Sequence, residues 1–138
     1  MKEKILIVED NPLNMRLIEM ILRTKSYTLL KATNVEEAVE VAVREQPDII
    51  ILDIQLPDVS GLEVARRLKE ALAFSHIPII AVTAYAMKGD KERIIEAGCD
   101  AYLSKPINTR ELPRTVAGML LRRPKNRAEP TSTQIYYD

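Results

Sequence analysis

Carboxylate side chains directly follow two of the most apolar stretches of the chain. Residues 5–8 (ILIV) run into Glu9 and Asp10. Residues 49–52 (IIIL) run into Asp53. Two unit charges about 5 Å apart repel each other by roughly 3 kcal/mol at an effective dielectric constant of about 20. Three carboxylates in one pocket therefore require raised pKa values or a bound divalent cation. Because all the ligand atoms are oxygens, such a pocket favours Mg²⁺.

A hydroxyl and an ammonium group follow two further apolar stretches. Residues 79–82 (IIAV) end at Thr83, and Lys105 comes shortly after residues 101–103. Aspartate is a competent nucleophile toward phosphoryl groups. A hydroxyl and an ammonium can bind the remaining phosphoryl oxygens. No histidine or cysteine adjoins these positions, which argues against zinc.

Each of these residues has a purely structural interpretation when it is taken alone. An aspartate after a strand is usually a turn or capping residue, and a threonine is commonly a β-branched strand residue. A single lysine is usually a solvated surface charge. Their joint arrival at four strand ends favours a phosphoryl-transfer site. A structural ion pair between Lys105 and an aspartate stays open as the alternative.

Strand-length apolar runs alternate with segments of helical period. The clearest helix begins at Val35, where apolar residues recur every three or four positions, and Asn34 and Glu37 form a capping-box-like pair before it. The apolar runs are residues 5–8, 27–31, 49–52, 79–82 and 101–103. This alternation predicts five β-α units and a parallel sheet that is covered on both faces. Ligands of such sheets bind at the carboxyl ends of the strands, where the candidate residues lie.

The remaining helices have recognisable ends. Asn11 and Pro12 read as a cap and a first helical residue, and Gly98 stops the fourth helix. We expect the third and fourth helices at 61–72 and 88–97. Pro113 conflicts with a last helix capped by Asn108, because proline lacks a donor and clashes with the preceding turn. Either that helix begins near Leu112 or its first turn is distorted.

Composition limits the class of protein. The chain has 138 residues, 46% hydrophobic and 29% charged, and 20 basic residues balance 20 acidic ones. This balance makes nucleic acid improbable as the main partner. No apolar run reaches membrane-spanning length and no signal-peptide pattern opens the chain. The single cysteine, Cys99, suits a reducing cytosol, so we expect a cytoplasmic protein with no membrane contact. We predict one domain over 1–121 and a polar tail over 122–138.

Four motifs together resemble a known family. They are "VED" at 8–10, "LDIQLPDVSG" at 52–61, "AVTA" at 81–84 and "YLSKPI" at 102–107. In this order and spacing the chain resembles the receiver domains of two-component response regulators over about residues 3–121. It looks most similar to DivK-like single-domain receivers of bacterial cell-cycle phosphorelays and to receivers of hybrid kinases.

The resemblance implies the strand order that the residues alone leave open. Receivers have the flavodoxin-like, doubly wound (βα)5 fold, with a five-stranded parallel sheet in the order 2-1-3-4-5. Strands one and three are neighbours in that order. The three carboxylates would therefore meet.

The resemblance also implies a role for each site residue. Asp53 would be the phosphoacceptor and, with Asp10, a ligand of Mg²⁺ or alternatively Mn²⁺, while Glu9 would reach the metal through water. The backbone carbonyl of Gln55 would complete the protein's share of the coordination. The phosphoryl-binding groups would be Thr83, the Ala84 amide and Lys105; Thr83 and Tyr102 would form a switch pair; and Lys105–Pro106 would be a cis peptide.

The implied function is a phosphorylation switch and not a turnover enzyme. A sensor histidine kinase or a histidine phosphotransfer protein would donate the phosphoryl group, and a downstream protein effector would receive the signal. The first helix, Leu13 to Leu22, is the predicted docking surface for the donor. The 87–121 face offers a surface for dimerisation. Gln55 and Tyr85 flank the site and should affect the lifetime of the phosphoryl group.

Three alternative functions would use a similar fold or similar residues. A phosphatase of the haloacid dehalogenase type would carry a second aspartate as general acid, where this chain has Gln55. A flavin-binding module would offer amides to a phosphate in its first loop, where Glu9 and Asp10 would repel one. A pseudo-receiver would fold without being phosphorylated, but the intact acidic and lysine positions argue against it.

Overall fold

The computed structural model describes residues 2–23, 26–54, 61–72, 76–84 and 88–122, with the backbone alone at 88–90. The strands and helices are β1 (Lys4–Val8), α1 (Pro12–Arg23), β2 (Thr28–Ala32), α2 (Val35–Glu45), β3 (Ile49–Asp53), α3 (Gly61–Ala71), β4 (Ile79–Thr83), α4 (Lys88–Glu96), β5 (Ala101–Ser104) and α5 (Glu111–Arg122). Gln55, Tyr85 and residues 123–138 lie outside the described residues, so the predictions made for them cannot be compared with the structure. Helix α5 includes Arg122, and the division of the chain after residue 121 stays a prediction.

All five strands form one parallel sheet in the order β2-β1-β3-β4-β5. This confirms the predicted fold class and strand order. Strand β1 lies between β2 and β3, and its residue Val8 pairs with Leu52 of β3. The residues that follow these partners, Glu9 and Asp53, therefore reach the same edge of the sheet.

The alternation of side chains along each strand divides the core into two layers. Strands β3 and β4 are buried along their whole length, which explains why their sequences are continuously apolar and not alternating. One layer joins the sheet to α2, α3 and α4 and contains Leu6, Val8, Ile50, Leu52, Val64, Leu68 and Ile94. The other joins the sheet to α1 and α5 and contains Ile5, Ile7, Ile49, Ile51, Ile18, Leu22 and Val116.

Asparagine side chains begin the first two helices, as the sequence predicts. The Oδ1 atom of Asn11 accepts hydrogen bonds from the backbone N–H groups of Leu13 (2.8 Å) and Asn14 (3.1 Å). Asn34 accepts from the N–H of Glu37 at 2.9 Å. The Glu37 carboxylate in turn accepts from the N–H of Thr33 at 2.6 Å, one residue before the cap. Each helix thus starts directly after a strand end, at the edge of the sheet that carries Glu9 and Asp53.

The structure agrees with both predictions for Pro113, a helix that begins near Leu112 and a distorted first turn. Asn108 accepts hydrogen bonds from the N–H groups of Arg110 and Glu111, at 2.8 and 2.9 Å, and the regular helix begins at Glu111. The bond from the N–H of Arg114 to the carbonyl of Arg110 is long, at 3.4 Å. Pro113 therefore lies in the first turn of α5, where a missing N–H donor costs least.

Candidate functional site

Glu9 directs its carboxylate into the protein although it follows the last residue of β1. Its backbone N–H donates to the carbonyl of Ala32 on β2 at 3.0 Å, which extends the strand pairing by one residue. The side chain is only 1% exposed. One carboxylate oxygen, Oε2, accepts from the N–H of Asn11 at 3.1 Å. The other, Oε1, is buried and has no hydrogen-bond partner among the described residues.

The environment of Glu9 opposes its ionisation. The pKa of the Glu9 carboxyl is raised to about 7, mainly by burial and also by the neighbouring Asp53 carboxyl through a side-chain hydrogen bond and charge repulsion. The N–H of Asn11 and the ammonium of Lys105 lower the pKa, but they do not offset burial. A proton or a cation would stabilise this buried, unpartnered carboxylate oxygen.

Three carboxylates converge at this edge. Oxygen atoms of Glu9, Asp10 and Asp53 all lie within 4.8 Å of one another, with Asp10 the most exposed of the three. The sheet order causes this convergence, because β1 and β3 are adjacent and end in register. The donor set is all oxygen, and one buried oxygen lacks a partner, so these residues suit a hard cation such as Mg²⁺.

Asp53 and Lys105 form an ion pair. The last residue of β3, Asp53 is 3% exposed, and its Oδ1 atom lies 3.2 Å from Nζ of Lys105. Lys105 is held in place by its own N–H, which donates to the carbonyl of Thr83 at 2.8 Å, and the peptide bond to Pro106 is cis. The structural ion pair that the sequence left open is thus present. This ion pair offsets one of the three nearby negative charges. It therefore does not by itself explain why three carboxylates lie together here.

Thr83 and Tyr102 lie on the same face of the sheet. Thr83 is the last residue of β4 and is 1% exposed, and Ala84 follows it. Tyr102 pairs with Ala81 on β4, and residues two apart on a strand share a face. The Tyr102 ring is half-buried and packs against the core layer that contains Ile94 of α4. The two residues named as a switch pair thus lie on one face of two neighbouring strands.

Three residues make contacts at the site that sequence reasoning did not predict. The Asn11 N–H binds Glu9, and Nζ of Lys91 lies 5.8 Å from the centroid of the Tyr102 ring. A Cβ atom on Gly61 would lie 2.3 Å from the Cα of Ile54, the residue after Asp53, and the Gly61 N–H donates to the Ile54 carbonyl at 3.0 Å. The glycine at the end of the "LDIQLPDVSG" motif was a visible signal for this close approach. Nothing in the sequence singled out Lys91.

This combination of fold and site defines a class of protein. It is a doubly wound parallel sheet whose carboxyl edge holds a buried aspartate, an acidic pair, a lysine and a hydroxyl. The model of the response regulator receiver domain matches residues 5–117. The chain belongs to this family, and it is a receiver domain of two-component signalling.

Similar proteins indicate which kind of receiver the chain resembles. The chain is 48% identical over 120 residues to the polar-differentiation response regulator DivK of Brucella anthropi, which covers 87% of this chain and 98% of the relative. It is 47% identical over the same length to DivK of Brucella suis. The chain is thus DivK-like, as the sequence motifs predict.

Solved structures agree with the fold. A response regulator from Chloroflexus aurantiacus superposes with a TM-score of 0.81 and 30% identity, over 88% of this chain and 99% of that one. The receiver domain of sensor histidine kinase PA1611 from Pseudomonas aeruginosa superposes with a TM-score of 0.78 and 36% identity, over 87% and 98%. In the latter structure a magnesium ion is coordinated in the active-site cleft. In the described part of the present chain, no helix is both long enough and apolar enough to cross a membrane.

Proposed function

We propose that Asp53 accepts a phosphoryl group from a histidine side chain of a sensor kinase or a phosphotransfer protein, and that the phosphorylated chain signals through contact with a protein effector. One observation carries this proposal. A buried aspartate lies 3.2 Å from a lysine ammonium and within 4.8 Å of two further carboxylates, at the carboxyl edge of the sheet. A site for a structural ion pair needs only one carboxylate.

The chemical step balances with the groups present. A carboxylate oxygen of Asp53 attacks the phosphorus, and a phosphorus–oxygen bond forms as the phosphorus–nitrogen bond to the donor imidazole breaks. The bonding electrons stay with the imidazole nitrogen, which takes up a proton. The product is an aspartyl phosphate, in which Asp53 has exchanged one negative charge for about two. Lys105 is already at hydrogen-bond distance from this carboxylate and would bind an oxygen of the new group.

Thr83 and Ala84 would complete the binding of the phosphoryl group. Thr83 is the last residue of β4 and Ala84 comes directly after it. Strand β4 lies next to β3 in the sheet. The Thr83 hydroxyl and the Ala84 N–H would each donate to a phosphoryl oxygen. When the Thr83 side chain moves toward the phosphate, the ring of Tyr102 would fill the space on that face of the sheet. Two populations of the α4, β5 and α5 surface would result.

The ligands of Mg²⁺, or alternatively of Mn²⁺, would be Asp10, Asp53 and Glu9, with Gln55 supplying a backbone carbonyl. The unpartnered oxygen of Glu9 and the all-oxygen donor set support this assignment. When bound, the cation would offset the negative charge that the phosphoryl oxygens bring to the acidic residues. Glu9 would reach it through a water molecule and Asp10 directly.

Helix α1 supports the proposed docking of a phosphodonor. Leu13 and Met20 are 78% and 59% exposed, so the helix presents an apolar surface to solvent as well as to the core. A groove of about 590 Å³ runs between α1 and the start of α5. Its lining is apolar except for one threonine and two arginines: Leu17, Met20, Ile21, Thr109, Arg110, Pro113 and Arg114. An amphipathic helix with an acidic border would complement it.

Two exposed apolar side chains support the other proposed contacts. Ile95 on α4 and Leu121 on α5 are 52% and 77% exposed. They belong to the 87–121 face that we propose for an effector or for a second copy of the chain. We expect the protein to lose its phosphoryl group by hydrolysis without sustained turnover of phosphomonoesters.

Acetyl phosphate tests the central claim. The full chain is incubated with this small phosphodonor, with and without Mg²⁺, and its intact mass is measured. We expect one phosphoryl adduct that depends on Mg²⁺ and is absent from Asp53→Asn, with folding of the variant checked by circular dichroism. An adduct that persists in Asp53→Asn, or no adduct on the unmodified chain, would contradict the proposal. Sustained release of phosphate from a phosphomonoester would instead favour the phosphatase.

A further inference from the structure

The ammonium group of Lys91 lies over the ring of Tyr102. The distance from Nζ to the ring centroid is 5.8 Å, within the range of about 6 Å over which a cation is attracted to an aromatic face. Lys91 is one helical turn before Ile94, which is buried in the core layer against which Tyr102 packs. The contact therefore lies on the side of α4 that faces the sheet, at the end of the helix nearer Thr83.

The ring is the one partner that Lys91 has among the described residues. Four other lysines instead meet a carboxylate within 3.3 Å: Lys4, Lys31, Lys69 and Lys105. Lys91 itself is exposed, and Tyr102 is half-buried. An exposed lysine whose one partner among the described side chains is an aromatic ring can influence where that ring lies.

The proposed switch moves Tyr102 away from this contact. The ring is half-exposed in the structure, whereas the inward position would bury it beside the space that Thr83 leaves. An ammonium group does not follow a ring into the core, because removing a charge from water without a counter-charge is costly. The inward position thus loses the attraction of Lys91, and the outward position keeps it.

We propose that Lys91 is a positioning residue for Tyr102, which holds the ring in its half-exposed position and so sets the balance of ring positions before phosphorylation. This inference rests on the proposed function, because it requires the exchange of Tyr102 between two positions. Cation–π contacts at exposed sites correspond to a change of about two- to fivefold in an equilibrium. Removal of the Lys91 charge should therefore raise the inward population by about that factor.

Fluorotyrosine NMR on the full chain tests the inference without phosphorylation. The ring signal of Tyr102 is assigned by its loss in Tyr102→Phe, because the chain has 5 tyrosines. Its exposure is measured by the line broadening that a soluble paramagnetic agent produces. In Lys91→Met the side chain keeps its length and loses its charge. We expect the Tyr102 ring to become less exposed, and its exposure to return to the original value in Lys91→Arg.

Arg93→Met is the matched control. It removes a positive charge from the same helix, about 200° around the helix axis from Lys91. It should leave the exposure of the Tyr102 ring unchanged. If Lys91 only covered the ring, Lys91→Met would leave the exposure unchanged or increase it, and either result overturns the inference. An equal response to Arg93→Met overturns it as well.

The two proposals fail in different ways. Failure of the chain to form the acetyl phosphate adduct removes the proposed function, whatever the ring signal does. Normal formation of the adduct, together with an unresponsive Tyr102 signal in Lys91→Met, removes the role of Lys91 alone.

Discussion

Carboxylates lie at both edges of the same sheet, but the two edges satisfy them differently. At the amino edge, Asp48 accepts the N–H of Lys4 at 2.7 Å. Asp100 accepts the N–H of Ile79 at 2.8 Å and the ammonium of Lys69 at 3.1 Å. At the carboxyl edge, three carboxylates lie within 4.8 Å of one another, the ammonium of Lys105 donates to Asp53, and one oxygen of Glu9 has no partner among the described residues.

The aspartates at the amino edge stabilise the fold, whereas the carboxylates at the carboxyl edge are suited to bind a cation. At the amino edge each aspartate accepts the N–H that begins a strand, where the backbone would otherwise lack a partner. At the carboxyl edge one oxygen of Glu9 lacks a partner among the described residues, so the folded protein keeps a site that a proton or a cation can stabilise. Variants at the two edges should therefore affect stability and phosphorylation in opposite ways.

The largest effect that we predict distinguishes the two lysines. Lys105→Met removes the ammonium that would bind the phosphoryl group, and we expect the rate of adduct formation from acetyl phosphate to fall by about 100-fold. Lys69→Met removes the equivalent ammonium at the amino edge and should leave the rate unchanged. The measurement is intact mass against time in Mg²⁺. Equal rates for the two variants would show that the carboxyl edge has no special role.

The second prediction concerns the pH dependence of stability. Because folding raises the pKa of Glu9 from 4.5 to about 7, the folded state binds the proton more tightly than the unfolded state does. Without divalent cations, stability should decrease as pH rises from 4.5 to 7, and Glu9→Gln should remove this loss of about 3 kcal/mol at most. Urea unfolding at pH 4 and pH 8 in EDTA measures it.

Magnesium provides the control for Glu9. At pH 8, added Mg²⁺ should stabilise the unmodified chain and should stabilise Glu9→Gln less, since the variant has one fewer negative charge at the site. A Glu9→Gln variant that is less stable than the unmodified chain at pH 8 in EDTA would refute the view that this carboxylate is unsatisfied.

The third prediction concerns the amino edge and has the opposite sign. Asp100→Ala leaves the N–H of Ile79 without its acceptor and removes the carboxylate partner of the Lys69 ammonium, which still donates to the carbonyl of Ile77. The variant should destabilise the protein by about 2 kcal/mol at pH 7. Adduct formation should be unchanged. The free energy of unfolding in urea measures the first effect, and intact mass the second. A stabilising Asp100→Ala would remove the contrast between the edges.

The smallest effect that we predict is the loss of a helix cap. Asn34→Ala removes the acceptor for the N–H of Glu37 and should cost about 1 kcal/mol. Asn34→Asp keeps the acceptor and should cost less. Asn34 lies at the carboxyl edge but takes no part in the proposed chemistry, so phosphorylation should be unaffected. Loss of the adduct in Asn34→Ala would mean that the site depends on α2.

Local patterns predicted a large part of the fold. The continuous apolar runs before Asp53 and Thr83 predicted buried strands, because a parallel strand covered on both faces needs apolar residues at every position. Asn11 and Asn34 predicted helix starts, because capping involves residues only two or three apart. The uncertainty over Pro113 was also local, and the structure resolves it by starting the regular helix at Glu111.

Side-chain contacts between elements that are distant in the chain were harder to predict from the sequence. The types of residue at four strand ends predicted a phosphoryl-transfer site, but the strand order came from the resemblance to receivers. The partners that individual atoms find depend on register between strands that are distant in the chain. The contact of Lys91 with Tyr102 joins a helix to a strand and did not follow from the sequence. The bond from the N–H of Asn11 to Glu9 is local, but Asn11 was interpreted only as a helix cap.

The sequence by itself determined which strands are buried, where the first two helices begin and which residue types collect at one edge of the sheet, since each of these depends on neighbours in the chain. Tertiary structure alone decided that Glu9 turns inward with an unpartnered oxygen, that Lys105 pairs with Asp53, and that Lys91 lies over Tyr102. These contacts join residues separated by up to 52 positions, and only the packing of strands and helices brings such residues together.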